Sequence, residues 1–198
     1  MLLIGNGRLI TRGEHNRLIE NGCVAADGSV IAAVGTTDEL RRRWPGAQFI
    51  DAHGGMILPG LINAHNHIYS AFSRGIAING YNPHNFLDIL DGMWWTIDRN
   101  LLLEDTRYSA LATYIDCVKC GVTTVFDHHA SFGEIPGSLF AIADAASEIG
   151  VRTCLCYEVS DRDGEEKMRQ AVREKCRFHR PLQEGHDRHG QDRKSVCR

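Results

Sequence analysis

From Leu2 to about Ile50 the chain alternates short apolar runs with Gly, Asn and Asp, in LLIGNGRLIT, NGCVAADGSVIAAVG and AQFIDA. Strands of this length bounded by turn formers predict a small antiparallel β-unit of sandwich type, with Asp27-Gly28 as a two-residue hairpin turn. The segment TTDELRRRWPG can form one or two helical turns after Thr36 or Thr37 as N-cap, and it must stop before Pro45. Arg41, Arg42 and Arg43 are expected on the solvated face of that helix.

After AHGGMILPG the pattern changes to strands separated by longer helices. LINAH, VTTVFDH and VRTCLCYEV read as three buried-type strands. Leu139, Ile142, Ala143, Ala146 and Ile149 recur at helical spacing and end at Gly150, a C-cap candidate. Tyr108, Leu111, Ala112, Ile115 and Val118 repeat the same spacing before Gly121, which predicts a second helix with that stripe as its packed face. Strand, helix and strand with short joins are the signature of an α/β fold on a parallel sheet, open or closed. The division expected is 1–58 for the β-unit, 59–174 for the α/β part, and 175–198 as a separate tail.

Composition narrows the classes. At 43% hydrophobic and 24% charged, with a net charge of −3, the chain reads as an ordinary globular protein with no field for a nucleic-acid backbone. No stretch approaches the roughly 18 apolar residues of a membrane span, and the start carries no secretory pattern, so the cytoplasm is the expected location. Charge is nonetheless uneven. Residues 1–174 hold 15 basic against 22 acidic residues, whereas 175–198 hold 7 against 3, with three of the ten His. That tail lacks helical or strand periodicity and reads as a basic partner-binding segment, a solvated terminus, or an aberrant end to a longer gene. A length of 198 residues also sits at the lower edge for a complete eight-stranded α/β barrel, about 200 to 250 residues.

The strongest chemical signal is LPGLINAHNH. His65 and His67 lie at i and i+2 at a strand end, so both imidazoles point to one side and can converge on one metal, while Asn66 points away. Taken alone, His-x-His also fits surface or core histidines; its place at a strand end of an α/β sheet, where sites in such folds are built, favours the metal. Asp127, His128 and His129 end the next strand and either face a substrate pocket or satisfy loop backbone. Trp94 and Trp95 either wall that pocket or pack in the core. Glu158 and Asp161 are further candidate pocket residues, and Arg74 is a candidate anion contact or a surface ion pair. Cys117-x-x-Cys120 and Cys154-x-Cys156 could form a thiolate zinc site, but reduced cysteines packed in small apolar slots are favoured.

The segment FIDAHGGMILPGLINAHNHIYSAFSRG resembles the start of the catalytic barrel in the amidohydrolase superfamily, especially its aminohydrolase branch with cytosine deaminase, guanine deaminase and triazine chlorohydrolases. FLDILDGMWWTIDRNLLLEDTRYSALATYIDCVKCGVTTVFDHHAS and CYEVSDRDG are most similar to an aminohydrolase associated with selenium metabolism. The resemblance runs from about Leu2 to about Val172. It implies about the first three strands of a TIM-type (β/α)8 barrel, preceded by part of a composite β-sandwich domain. It further implies a divalent metal, zinc or iron, held in part by His65 and His67, which activates water for attack on a ring carbon bearing an amino group or halide. The substrate implied is a small nitrogenous heterocycle.

The third and fourth His and the Asp of that pattern belong to later strands with no counterpart here. His179, His186 and His189 lie on no predicted strand and do not replace them. The chain is therefore expected to lack turnover by itself, and its open sheet edges would favour association into a homo-oligomer or aggregation. Two other readings stay open: a cyclic amidohydrolase of the dihydropyrimidinase kind, and a non-enzymatic fragment that binds metal weakly.

Overall fold

A computed structural model describes residues 1–15 and 17–183. The chain divides into two compact units, Met1–Pro59 and the part from Gly60 onward. No described helix is long and apolar enough to cross a membrane.

The first unit contains β1 (Leu2–Ile10), β2 (Leu18–Asp27), β3 (Val30–Thr36), α1 (Thr37–Arg43), β4 (Gln48–Asp51) and β5 (Met56–Ile57). One five-stranded sheet runs β3-β2-β1-β4, with β5 also on β1. The expected antiparallel unit is corrected to a mixed sheet: β1 pairs antiparallel with β2 but parallel with β4 and β5. The cause is α1, which returns the chain so that β4 runs in the direction of β1. The hairpin turn also moves by one residue. Asp27 pairs with Val30, so Gly28 and Ser29 make the turn, with Gly28 at a φ of 56°. Thr36 is the N-cap, because its hydroxyl accepts the Glu39 amide while the Glu39 carboxylate accepts the Thr36 amide. One sheet face and α1 bury Leu3, Cys23, Ala25 and Leu40.

The second unit is α/β, as expected from the alternation of periods. β6 (Leu61–Asn66) leads into a 3-10 helix, Ile68–Ser73. Next come α2 (Phe86–Ile89), a π-helical turn at Leu90–Trp94, α3 (Trp95–Asn100) and α4 (Leu103–Lys119). They are followed by β7 (Val122–His129), α5 (Ser138–Ile149), β8 (Arg152–Tyr157) and α6 (Glu165–Gln183). The strands form a parallel sheet in the order β6-β7-β8. Gly60 permits the close approach of β6 to β7, since a Cβ there would collide with the Thr123 side chain.

Strand alternation sorts the side chains into two sets. Val125, Asp127 and His129 of β7, with Thr153, Leu155 and Tyr157 of β8, face the buried side. Phe126 and His128 face the other way, paired with Cys154 and Cys156. The buried side packs against Ala110, Tyr114, Leu139, Ile142, Ala146, Ala171 and Phe178.

On α4 the expected packed stripe is overturned except at Leu111, which packs against the core. Tyr108, Ile115 and Val118 are about half exposed, and the buried face is Thr106, Ser109, Ala110, Tyr114 and Cys117. The smaller, more polar face wins because it is the one that fits close to the sheet, where the Tyr114 hydroxyl also meets Thr153 Oγ1 at 2.8 Å.

α6 corrects the tail boundary as well. The helix continues through position 175 to Gln183, and its buried stripe is Ala171, Glu174 and Phe178. A carboxylate in the middle of that stripe hides it from a hydrophobic-period reading. Glu174 is buried because it accepts the amides of Gly137, at 2.9 Å, and Leu139, at 3.2 Å, at the start of α5, which has no side-chain cap of its own. Residues 184–198, the rest of the tail expectation, lie outside the described residues.

Two stability outcomes follow. Glu174→Ala leaves the α5 amides without acceptors and should lower unfolding free energy by roughly 2 kcal/mol, read from the urea midpoint. Burial pushes the His129 imidazole down to about 3, against about 6.5 in the unfolded chain. A base with a depressed folded pKa gives stability that is lost as pH falls from about 6.5 toward about 3, because the unfolded chain takes up the proton first. His129→Gln should therefore lose less stability than the wild-type chain between about pH 7.5 and about pH 5. Equal losses would mean that His129 is not a neutral buried imidazole.

Candidate metal centre

β6 ends at Asn66, and the chain turns into the 3-10 helix at Ile68, so His65 and His67 sit at the carboxyl end of a parallel strand beside β7. Their Nε2 atoms lie 3.0 Å apart, with the rings edge to face at a centroid distance of 4.7 Å. Two ligands each about 2.0 to 2.1 Å from one ion have nitrogens about this far apart. His67 Nδ1 is 2.9 Å from the carbonyl oxygen of His128. A carbonyl can only accept, so Nδ1 carries the proton and Nε2 presents its lone pair, the tautomer a metal ligand needs. The donor chemistry and the convergence fit two ligands of a divalent ion. Among the described residues no group of three or more His, Cys, Asp or Glu is placed to hold a metal.

Next to His67 is a cavity of about 370 Å³ lined by His67, Tyr69, Ser70, Phe86, Leu90, Trp94, Trp95, Asp98, His128 and Glu158. Trp94 and Trp95 therefore wall this cavity, and the Tyr69 ring meets Trp94 edge to face at 6.5 Å. They reach it from the irregular helical stretch 86–100, where the π turn re-aims successive side chains.

Of the three residues ending β7, only His128 reaches the cavity. Its imidazole is pushed below the ordinary histidine value, mainly by burial and then by the neighbouring His67 and His65, against the pull of Glu158. Asp127 and His129 are corrected to residues of the opposite, buried face. His129 Nε2 pairs with Ser131 Oγ at 2.9 Å, and its ring lies against Tyr69 and Tyr157. Asp127 accepts the Ile68 amide at 2.7 Å. The reason is the two-residue repeat of the strand, which lets 128 face the site only if 127 and 129 do not.

Glu158, a candidate from sequence, also lines the cavity. Asp98 and Arg162 were not singled out by the sequence. Arg162 binds Asp98 through both guanidinium ends, at 2.6 and 3.3 Å, and also reaches Glu158 at 3.1 Å and Asp163 at 2.8 Å. Its guanidinium also lies over the Phe132 ring at 4.1 Å. Asp98 follows Trp94 and Trp95 by one helical turn, which was a readable cue, but its partner lies 64 residues on. Arg74 pairs with Asp116 at 3.2 Å and is mostly exposed, the surface ion pair of the two alternatives. His179 lies on α6, its ring against Phe178, and His186 and His189 are outside the described residues.

Comparison with known proteins bears on this arrangement. The model of the amidohydrolase family matches residues 56–186, and that of an imidazolonepropionase-like composite domain of bacteria matches residues 22–47. A 5-methylthioadenosine/S-adenosylhomocysteine deaminase from Pyrococcus furiosus is 29% identical over 178 residues, covering 90% of this chain and 38% of that protein. A deaminase of the same name from Syntrophus aciditrophicus is 34% identical over 158 residues, covering 79% and 33%. The chain thus spans between a third and two fifths of the length of these curated relatives.

Among solved structures, atrazine chlorohydrolase from Arthrobacter aurescens complexed with zinc superposes with a TM-score of 0.73 at 23% identity, covering 99% of this chain and 45% of that one. Guanine deaminase from E. coli gives 0.73 at 19% identity, covering 91% and 43%. At these identities the likeness is one of fold. With two thirds of its length matched by the family model, the chain belongs to the amidohydrolase family.

Proposed function

We propose that this chain supplies the first-strand metal ligands and one aromatic wall of the substrate pocket in a metal-dependent hydrolase acting on carbon–nitrogen bonds other than peptides, of the deaminase type. The observation that carries the reading is the 3.0 Å convergence of the His65 and His67 Nε2 atoms, with His67 also lining an aromatic cavity. A divalent ion, zinc in the first place and iron in the second, would supply Lewis acidity there and lower the pKa of water from 15.7 toward about 7. The zinc in a structure of the same fold and the deaminase names of the relatives support that choice.

The chain's own residues have separate tasks. His65 and His67 hold the ion. Trp94, Trp95 and Tyr69 present ring faces and edges to a planar heterocycle and exclude water from one side of it. His128 and Glu158 offer hydrogen-bonding groups at the cavity wall.

The second unit reads as the first three β/α units of a TIM-type barrel. Parallel sheets are ordinarily covered on both faces. Here helices cover one face, while Ile62 and Phe126 on the other are 63% and 40% exposed, as they would be on the inner wall of a barrel with strands still to be added. On this reading the described residues hold two of the metal's ligands and bind the ion without turnover. Among the described residues the cysteines at positions 23, 117, 120, 154, 156 and 176 form no disulfide, in keeping with a reducing, cytoplasmic location.

Titration of the metal-free chain with Co(II), followed by calorimetry and visible absorption, should give one weak saturable site. His65→Ala and His67→Ala should each abolish it. Binding unchanged in both variants, or none in the wild-type chain at millimolar Co(II), would overturn the reading. No release of ammonia from 5-methylthioadenosine is expected from the chain by itself, and metal-dependent release would refute its lack of turnover.

A further inference from the structure

His67 is held from more directions than its place at a strand end requires. Its carbonyl accepts the Ser70 amide at 3.1 Å and the Ser70 hydroxyl at 2.7 Å. Its Nδ1–H donates to the His128 carbonyl at 2.9 Å, and the amide that follows it, on Ile68, donates to Asp127 Oδ1 at 2.7 Å. Consecutive residues of the neighbouring strand therefore control the ligand, one fixing its ring and the other its backbone exit.

Asp127 does this at a cost. It is 3% exposed, makes no ion pair among the described residues, and its Oδ2 has no hydrogen-bond partner. An apolar residue of similar size would pack there without a buried, half-satisfied carboxylate. What such a residue could not do is accept the Ile68 amide, which is itself buried and would be left unpaired. The 3-10 helix beginning at Ile68 also has no side-chain cap at His67. The direction in which the chain leaves His67 thus depends on a carboxylate from β7.

We propose that Asp127 is a positioning residue for the metal centre: by accepting the Ile68 amide it fixes the backbone of His67 so that the ring keeps its Nδ1–H on the His128 carbonyl and its Nε2 toward His65. Asp127 touches neither substrate nor metal and acts through His67. The inference rests on the proposed metal centre for its purpose, but its geometric content can be read without metal.

The test compares Asp127→Ala, Asp127→Asn and, as a control for general loss of stability, Leu139→Ala in the same core. Nitrogen-15 spectra of the histidine rings, recorded on the metal-free chain, should place the His67 proton on Nδ1 in the wild-type protein and in Asp127→Asn, whose amide oxygen can still accept from Ile68. Asp127→Ala should give a mixture of tautomers, and Leu139→Ala should keep the wild-type form. With Co(II), Asp127→Ala should bind 10- to 100-fold more weakly, with altered visible bands, while Asp127→Asn stays within about threefold of the wild-type affinity.

The inference is overturned if Asp127→Ala keeps the wild-type tautomer, if Leu139→Ala disturbs His67 as much, or if Asp127→Asn loses the wild-type tautomer. Should Asp127→Ala fail to fold, the Asp127→Asn and Leu139→Ala spectra decide by the same criteria. A wild-type chain that binds no Co(II) yet shows the expected ring spectra would count against the proposed function and leave the positioning role standing.

Discussion

The parallel pairing of β7 beside β6 is the constraint on which the site depends. It brings Asp127 opposite Asn66 in register, and places the His128 carbonyl where the His67 ring can reach it. A slip of one residue would turn Asp127 and His129 toward the cavity and bury His128, because strand side chains alternate with a period of two. Val125 and Leu155 in the core hold the register against that slip. The packing that stabilises the unit and the geometry that prepares His67 are thus consequences of the same alignment.

The same alternation divides labour between the two sides of the sheet. Toward the helices lie Val125, Leu155 and Tyr157, with polar groups that find partners inside the core, such as His129 Nε2 on Ser131 and Tyr114 on Thr153, and others that do not, such as Asp127 Oδ2. Away from them lie Phe126, His128, Cys154 and Cys156, more accessible, with the His128 ring against that of His67. A sheet of this kind keeps its chemistry on the side that its own helices do not cover. It also leaves apolar area exposed at Ile62 and Phe126.

Among the described residues, charge is handled differently in three places where it is buried. Arg162 gathers Asp98, Glu158 and Asp163 around one guanidinium at the edge of the aromatic cavity, so the carboxylates there share a cation. Asp127 has no such partner, and burial pushes its carboxyl up to about 7. Glu174 stands between these cases, since both its carboxylate oxygens accept otherwise uncapped amides at the start of α5. Each is a polar group inside an apolar period, and each marks a place where two elements are joined.

Local pattern alone was enough to determine the strands β6, β7 and β8, helix α5 with its Gly150 cap, an α1 cap at Thr36 or Thr37, and His65 with His67 together at a strand end. These follow from side-chain period and from short-range hydrogen bonding, which a sequence carries explicitly. Only the tertiary structure decided which face of α4 is buried, that β4 runs parallel to β1, that α6 continues past position 175, and that His128 alone of its three neighbours meets the cavity. Those outcomes depend on partners far apart in the chain: Tyr114 with Thr153, Asp98 with Arg162, Glu174 with Gly137, and Ile68 with Asp127. A one-dimensional pattern specifies that a residue can bury itself or donate a bond, and the packed sheet determines against what.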